Sequence, residues 1–92
     1  MDAQEFLKIC EEVGTSNLIV RHKKSGKFYV VHEDCAKAVE GEEHNFVYDG
    51  NVRVMRRGGY KIKTQWFDLK HVTYVRPLAK GESPNITWEL NK

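Results

Sequence analysis

The chain has 92 residues, which is enough for one domain with a single core and too few for two. Its residues are 40% hydrophobic and 30% charged, a composition that excludes a disordered or collagen-like chain and is typical of a globular protein. No apolar run reaches the ~18 residues of a membrane span, and the acidic start at residues 1–5 is unlike a secretory signal. We therefore expect a cytoplasmic protein that does not enter a membrane.

The charges are distributed unevenly along the chain. Fifteen Lys and Arg residues against thirteen Asp and Glu residues give a net charge of +2, which is too small to indicate a polyanionic partner. Residues 33–49 contain six acids and one base, whereas residues 50–67 contain five bases and no acid. This separation predicts an electric dipole that presents one basic face.

The first predicted element is a helix over residues 3–13. Asp2 and Glu5 stand three residues apart, as in a capping box, and Gly14 follows the last apolar position. Cys10 lies within the apolar stripe, so we expect it to be a buried thiol. The apolar residues that recur at helical spacing are Ala3, Phe6, Leu7, Cys10 and Val13.

A β-hairpin is predicted next, with strands over residues 17–22 and 27–32. β-branched and aromatic residues flank the turn-forming residues 23–26, which end in a glycine. Apolar residues occupy both parities, so we expect both faces to be covered, one of them by the first helix. Asp34 is expected to cap a short helix from Cys35 to Glu40, which Gly41 ends.

The stretch from His44 to Pro77 is predicted to be a meander of four antiparallel strands. Residues 45–48 and 51–55 flank an Asp49-Gly50 turn, and residues 60–66 and 71–76 form the next two strands. Ile86, Trp88 and Leu90 alternate with polar residues, which indicates a last edge strand or a docking arm. The predicted fold class is α+β: an N-terminal helix packed on a mainly antiparallel sheet of about five to six strands, with a second short helix, in a single compact domain over residues 1–92.

The register between residues 51–55 and 60–66 decides which side chains share a face. A two-residue loop at Gly58-Gly59 would place Val54 opposite Lys63, whereas a three-residue loop that begins at Arg57 would place Val54 opposite Ile62. We adopt the second register because it keeps one face apolar, although it also pairs two like charges across the strands. The apolar face that it predicts consists of Val47, Val52, Val54 and Ile62, and the like-charged pair is Arg53 and Lys63.

The opposite face then carries aromatic rings among cations, together with Met55 and Gln65, and no carboxylate. This mixture is typical of sheets that bind single-stranded nucleic acid, because bases stack on rings while cations contact phosphates. In the alternative interpretation, the rings pack under a helix or loop and the lysines are a solvated face that prevents edge aggregation. The predicted nucleic-acid-binding residues are Phe46, Tyr48, Arg53, Arg56, Arg57, Lys61 and Lys63.

Catalytic and metal-binding chemistry finds little support in the sequence. His32 and Cys35 stand three residues apart, and Cys10 or His22 would have to complete a zinc site, whereas structural zinc sites show paired ligand clusters. His32, Asp34 and Cys35 together supply the residue types of a nucleophilic relay, but these three residues lie too close along the chain to form one. Two cysteines in dissimilar contexts favour reduced thiols, of which Cys35 is expected to react somewhat faster than Cys10. We predict no enzyme activity, no metal and no cofactor.

The predicted function is a small non-enzymatic binding protein whose partner is single-stranded nucleic acid. Two alternatives stay open. The chain could be an inhibitor or adaptor that binds a host protein, as small viral proteins do, with the acidic stretch 33–49 docking on a basic partner. It could also sequester a nucleotide-like ligand, using the same cations and the ring of Trp66 or Tyr60.

Overall fold

Three α-helices, one short 3-10 turn and seven β-strands make up the residues that the structure, a computed structural model, describes. These are residues 1–48 and 51–92, with the backbone alone at 46–48, 51 and 52. The helices are α1 (Ala3–Val13), α2 (Asp34–Lys37) and α3 (Ile86–Leu90), and the 3-10 turn is Leu69–His71. The strands are β1 (Asn17–His22), β2 (Phe28–His32), β3 (His44–Tyr48), β4 (Asn51–Arg56), β5 (Gly59–Ile62), β6 (Gln65–Asp68) and β7 (Val72–Pro77).

The first helix and the first hairpin form where the sequence predicts them. The Asp2 carboxylate accepts a hydrogen bond from the Glu5 amide at 2.8 Å, and Gly14 ends α1 with a φ of 72°. Strands β1 and β2 pair antiparallel, with Asn17 opposite His32. Both predictions depended on strong local signals, a cap and a glycine turn, and both are confirmed.

The strands form two antiparallel sheets, ordered β2-β1-β7 and β3-β4-β5-β6. The predicted α+β class is confirmed, although the sequence suggested one sheet. The difference arises at β7, which pairs with β1 instead of extending the meander, and a bulge between Ile19 and Val20 shifts that pairing. The 3-10 turn Leu69–His71 separates β6 from β7, so the chain leaves one sheet and enters the other there.

The main core lies between the two sheets and under α1. α3 covers the other face of the three-stranded sheet, where Ile86 and Leu90 pack against a second cluster. The main core consists of Phe6, Cys10, Leu18, Val20, Val31, Cys35, Ala36, Met55, Tyr60, Phe67, Leu69 and Val72. The second cluster is Ile19, Val30 and Leu78. No helix in the described parts of the chain is long and apolar enough to cross a membrane.

Two of the short elements differ from the sequence prediction. α2 follows Glu33 as its cap residue and ends at Lys37, earlier than the predicted end at Glu40. The predicted last strand is a helix, α3, because Ile86 and Leu90 stand four residues apart and both reach the second cluster from one helix face. Trp88 breaks this stripe and is exposed. Alternation over five residues was therefore a poor guide to the element type.

The predicted register between β4 and β5 is wrong. Arg56 pairs with Gly59, so the turn consists of Arg57 and Gly58, and Val54 lies opposite Lys61. Gly58 has a φ of 87°, a conformation that favours glycine. A Cβ atom on Gly59 would lie 2.9 Å from the Phe67 carbonyl oxygen, closer than real Cβ contacts, so glycine is needed there as well. Gly58 is therefore favoured by its backbone conformation, and Gly59 is required by the close approach of β6.

The new register reverses the two faces of β4. Met55 is buried in the main core with Tyr60 and Phe67, while Val54 is half-buried on the outer face beside Lys61. The reversal buries Met55, which is larger than valine, and it also brings Arg53 to the inner face. The predicted core residues Val47 and Val52 have side chains outside the described residues, and Ile62 packs on the core as predicted.

Candidate nucleic-acid interface

A tryptophan ring contacts two cations on the outer face of the four-stranded sheet. β6 places Trp66 opposite Lys61 on β5, and Arg56 comes from the neighbouring strand β4. The Arg56 Cζ atom is 3.9 Å from the centroid of the Trp66 ring, and Lys61 Nζ is 5.3 Å from it. Both distances are within the range of cation–π attraction. We call Arg56, Lys61 and Trp66 the outer-face cluster.

Stacking on Trp66 leaves most hydrogen-bond donors of Arg56 available. A guanidinium that lies over a ring makes the contact with its flat face, while its N–H groups point outward from its edge. Asp68 Oδ1 lies 3.6 Å from Arg56 Nη2 and occupies one end of this edge. Arg56 is therefore held in place by a ring and a carboxylate, with remaining donors for a phosphate.

A chain of contacts connects the outer-face cluster to the turn between β1 and β2. Asp68 Oδ2 lies 4.0 Å from His71 Nδ1, and the His71 ring centroid is 6.4 Å from that of His22. The Lys23 amide donates to the His71 carbonyl at 2.9 Å, and Lys23 Nζ donates to the Lys70 carbonyl at 3.4 Å. The 3-10 turn thus joins cations from both sheets into one surface.

The hairpin turn adds exposed lysines to this surface. Residues 23–27 hold three lysines and no acid, and all three are exposed. Lys70 and His71 on the 3-10 turn are exposed as well. We call the whole set the basic surface: Lys23, Lys24, Lys27, Arg56, Lys61, Trp66, Lys70 and His71. A polyanion that crosses it meets cations from three separate parts of the chain.

The structure brings only part of the predicted nucleic-acid-binding set together. Arg56 and Lys61 meet at Trp66, as described above. Arg53 is only 5% exposed and lies on the inner face, where its Nη1 donates to the Val30 carbonyl at 3.1 Å. The predicted outward position of Arg53 is therefore wrong, and the reason is the reversed register of β4.

The other four predicted residues lie away from Trp66 or outside the described side chains. Arg57 is exposed in the β4–β5 turn and donates to the Ala36 carbonyl at 3.3 Å. Lys63 is exposed in the turn at the opposite end of β5, with a φ of 57°. The backbone of Phe46 pairs with Arg53 and that of Tyr48 with Asn51, but the side chains of Phe46 and Tyr48 lie outside the described residues.

Trp66 is the site residue that the sequence did not place. The predicted strand 60–66 ran through Lys63 and Thr64, where the structure has a turn between β5 and β6. Neither residue is a typical turn former, so no local signal indicated the pairing of Lys61 with Trp66. The sequence suggested Trp66 only as a ring for a nucleotide-like ligand.

His32, Asp34 and Cys35 are the residues that the sequence offered for catalysis or metal binding. Burial raises the pKa of the Cys35 thiol to about 12, so little of it is thiolate at neutral pH. His32 Nδ1 accepts a hydrogen bond from the Asp34 amide at 3.1 Å. In residues 1–48 and 51–92, no three His, Cys, Asp or Glu side chains are grouped as metal ligands.

No protein-family model, curated protein or solved structure matches this chain.

Proposed function

We propose that this protein binds single-stranded nucleic acid through the basic surface. The observation that carries the proposal is the outer-face cluster, in which Arg56 and Lys61 lie 3.9 Å and 5.3 Å from the Trp66 ring centroid. Single-strand binding needs a flat stacking group and cations within reach of the same nucleotide. The cluster supplies both on a sheet face.

A base can stack on this cluster in two ways. It can lie on the guanidinium plane of Arg56, since bases stack on arginine as well as on aromatic rings. It can also displace a cation from Trp66 and lie on the indole itself. In both cases the displaced or stacked cation stays beside the nucleotide and contacts its phosphate.

The rest of the basic surface gives the strand a path. From Trp66, the phosphates would pass His71 and Lys70 and reach the lysines of the β1–β2 turn. Contacts of this kind release counterions, so affinity must fall steeply with salt. Asp68 lies on the path between Arg56 and His71 and limits how many phosphates can be held there.

The first test is a salt series of fluorescence anisotropy with a labelled single-stranded oligothymidylate. About three to five phosphate contacts would give a log–log slope of about −2 to −3.5. Arg56→Ala and Lys61→Ala should each flatten the slope by about 0.7, because each removes one contact. Lys8→Ala, an exposed position on α1, is the matched control and should leave the slope unchanged.

The second test uses the tryptophan itself. The chain has two tryptophans, so Trp88→Phe leaves Trp66 as the single tryptophan, whose emission can be excited selectively over that of the four tyrosines. Oligonucleotide should quench the emission of this variant, because a base stacked on the indole is a close quencher. Trp66→Leu should weaken binding by about 1–3 kcal/mol with the salt slope nearly unchanged, since stacking is not ionic.

Two results of these tests would contradict the proposal, and a competition experiment gives a third. One is the absence of binding to single strands at low salt, where electrostatic attraction is strongest. The other is binding whose strength and salt slope are the same in wild type, Arg56→Ala, Lys61→Ala and Trp66→Leu. The competition experiment measures displacement of the labelled oligonucleotide. If mononucleotides displace it as well as unlabelled oligonucleotide does, sequestration of a nucleotide-like ligand replaces single-strand binding as the proposed function.

A further inference from the structure

A second surface lies between α2 with its following loop and the strands β3 and β4. It is an open groove of about 430 Å³. Ala38 and the buried Met55 form apolar parts of its lining, and Val39 lies beside them with 63% of its surface exposed. The exposed Val39 and the neighbouring Ala38 give an apolar side chain of a ligand a surface on which it can pack. We call this the α2 groove.

The rim of the α2 groove is acidic. Asp34 and Glu42 line it, and the neighbouring Glu40 and Glu43 are exposed. The one lysine of the lining, Lys37, lies 3.0 Å from the carboxylate of Glu33, which lies outside the lining. The positive charge that a ligand would meet is therefore already compensated.

Two histidines lie near the rim and do not reverse its charge. His32 Nδ1 lies 3.1 Å from the Asp34 amide nitrogen and 3.4 Å from Asp34 Oδ2, so His32 compensates that carboxylate only when it is protonated. His44 Nε2 lies 3.7 Å from Glu42 Oε2 and compensates that carboxylate only when protonated. The groove therefore presents a negative rim around an apolar floor at neutral pH.

We infer that the α2 groove binds a cationic segment of a partner protein that carries an apolar side chain between its basic residues. The apolar side chain would cover Val39 and the neighbouring Ala38, and the flanking cations would face Asp34 and Glu42. Charge complementarity argues for this occupant, and it excludes nucleic acid from the same face. The inference is independent of the proposed nucleic-acid binding, which uses different residues.

A second copy of the chain fits the groove less well. Two runs of the chain hold three bases in five residues. Residues 23–27 contain no apolar side chain to cover Val39, and in residues 53–57 both Arg53 and Met55 are buried. The outer-face cluster has an apolar side chain, Trp66, but its ring is partly buried and already contacts Arg56 and Lys61 of its own chain. A separate basic segment meets both requirements.

The test is anisotropy of the fluorophore-labelled peptide Gly-Arg-Arg-Leu-Arg-Arg-Gly, with blocked ends, titrated with the full chain. We expect it to bind about fivefold to tenfold more tightly than the peptide with Ser in place of Leu, because the leucine is covered by the groove. Val39→Ser should remove this preference. Val13→Ser is the matched control, since Val13 is also an exposed valine and lies outside the groove.

Charge is tested separately. Asp34→Asn and Glu42→Gln should each weaken binding of the leucine peptide about twofold to fivefold at low salt, whereas Glu12→Gln on α1 should not. Oligonucleotide binding should be the same in all these variants, so failure here is distinguishable from failure of the proposed function. The inference is overturned if both peptides bind equally, or if Val39→Ser and Val13→Ser behave alike. It is also overturned if sedimentation shows self-association that Val39→Ser abolishes, because the occupant is then a second copy.

Discussion

Arg53 joins the two sheets inside the core. Its guanidinium donates to the Val30 carbonyl on β2 at 3.1 Å, and its Cζ atom lies 5.9 Å from the centroid of the Tyr60 ring. A buried guanidinium is costly unless it is hydrogen-bonded, so this position is tolerated because its partners are fixed by the fold. An arginine in a strand therefore does not by itself mark a solvent-exposed face.

The two thiols should react in the opposite order from the one that the sequence predicted. Cys10 is 5% exposed and Cys35 only 1% exposed. Burial raises the pKa of both thiols, that of Cys35 from 9.0 to about 12. Such a shift lowers the thiolate fraction by a factor on the order of a thousand. The single-thiol variant Cys35→Ala should therefore label faster with a chromogenic disulfide reagent than Cys10→Ala.

The control for this comparison is labelling in denaturant, where both single-thiol variants should react alike. Equal native rates, or a faster Cys35, would show that Cys35 is not buried in the main core as described. The sequence placed Cys35 near the start of a short helix correctly but could not show that the helix faces the core.

At the scale of the strand, β4 left its register open because both of its faces carry apolar residues. Val54 lies on one face and Met55 on the other, and one arginine accompanies each face. The prediction of the register between β4 and β5 therefore depended on the compatibility of side chains across their turn. Two adjacent glycines in that turn are consistent with several loop lengths. In the observed register Gly59 lies in β5 opposite Arg56. Only glycine fits at this position, because β6 comes too close for a Cβ atom.

The two faces of β4 can be compared by substitution. Met55→Ala should lower the free energy of unfolding by about 2–5 kcal/mol, because it leaves a cavity in the main core. Val54→Ala should lower it by about 1 kcal/mol or less, because Val54 is half-buried on the outer face. Urea denaturation of the two variants beside wild type measures both. A larger loss for Val54→Ala would restore the register that the sequence predicted.

Elements with local signals were predictable, and elements decided by distant contacts were not. The cap at Asp2 and the stop at Gly14 define α1 within the sequence itself. The β5–β6 turn has no such signal, since Lys63 adopts a φ of 57° in a lysine-threonine pair. α3 forms because the second cluster offers Ile86 and Leu90 a place to pack, and the sequence alone does not contain that surface.

At the scale of the whole molecule, the separation of charge along the chain becomes a separation in space. The acidic stretch forms the rim of the α2 groove, and basic residues of β4 and β5 lie on the outer face of the sheet. The sequence predicted one basic face with five bases, of which Arg56 and Lys61 meet at Trp66, whereas Arg53 is buried and Arg57 lies against α2. It could not predict that the β1–β2 turn joins the basic surface, because Lys23 meets the 3-10 turn only through the pairing of β1 with β7.

The stability of the whole fold should fall in acid, and Glu82 should account for part of that fall. Arg76 donates two hydrogen bonds to the Glu82 carboxylate at 2.8 and 2.9 Å, and the Ala79 amide donates another at 3.0 Å. These contacts lower the pKa of Glu82 from 4.5 to about 2. Because the folded pKa is the lower one, the stabilisation is complete above pH 4.5 and is lost as the pH falls through about 2.

Glu82→Gln should therefore be less stable than wild type at pH 7 and approach it as the pH falls toward 2. Thermal unfolding followed by circular dichroism across this range measures the difference. Glu12→Gln is the control, because Glu12 is exposed on α1, and its curve should run parallel to that of wild type. If Glu82→Gln also runs parallel to wild type, the ion pair between Arg76 and Glu82 does not contribute to folding. If it converges, the loop at residues 79–82 is held to β7 by the ion pair with Arg76, and the pKa of the Glu82 carboxyl lies well below the usual range for glutamate.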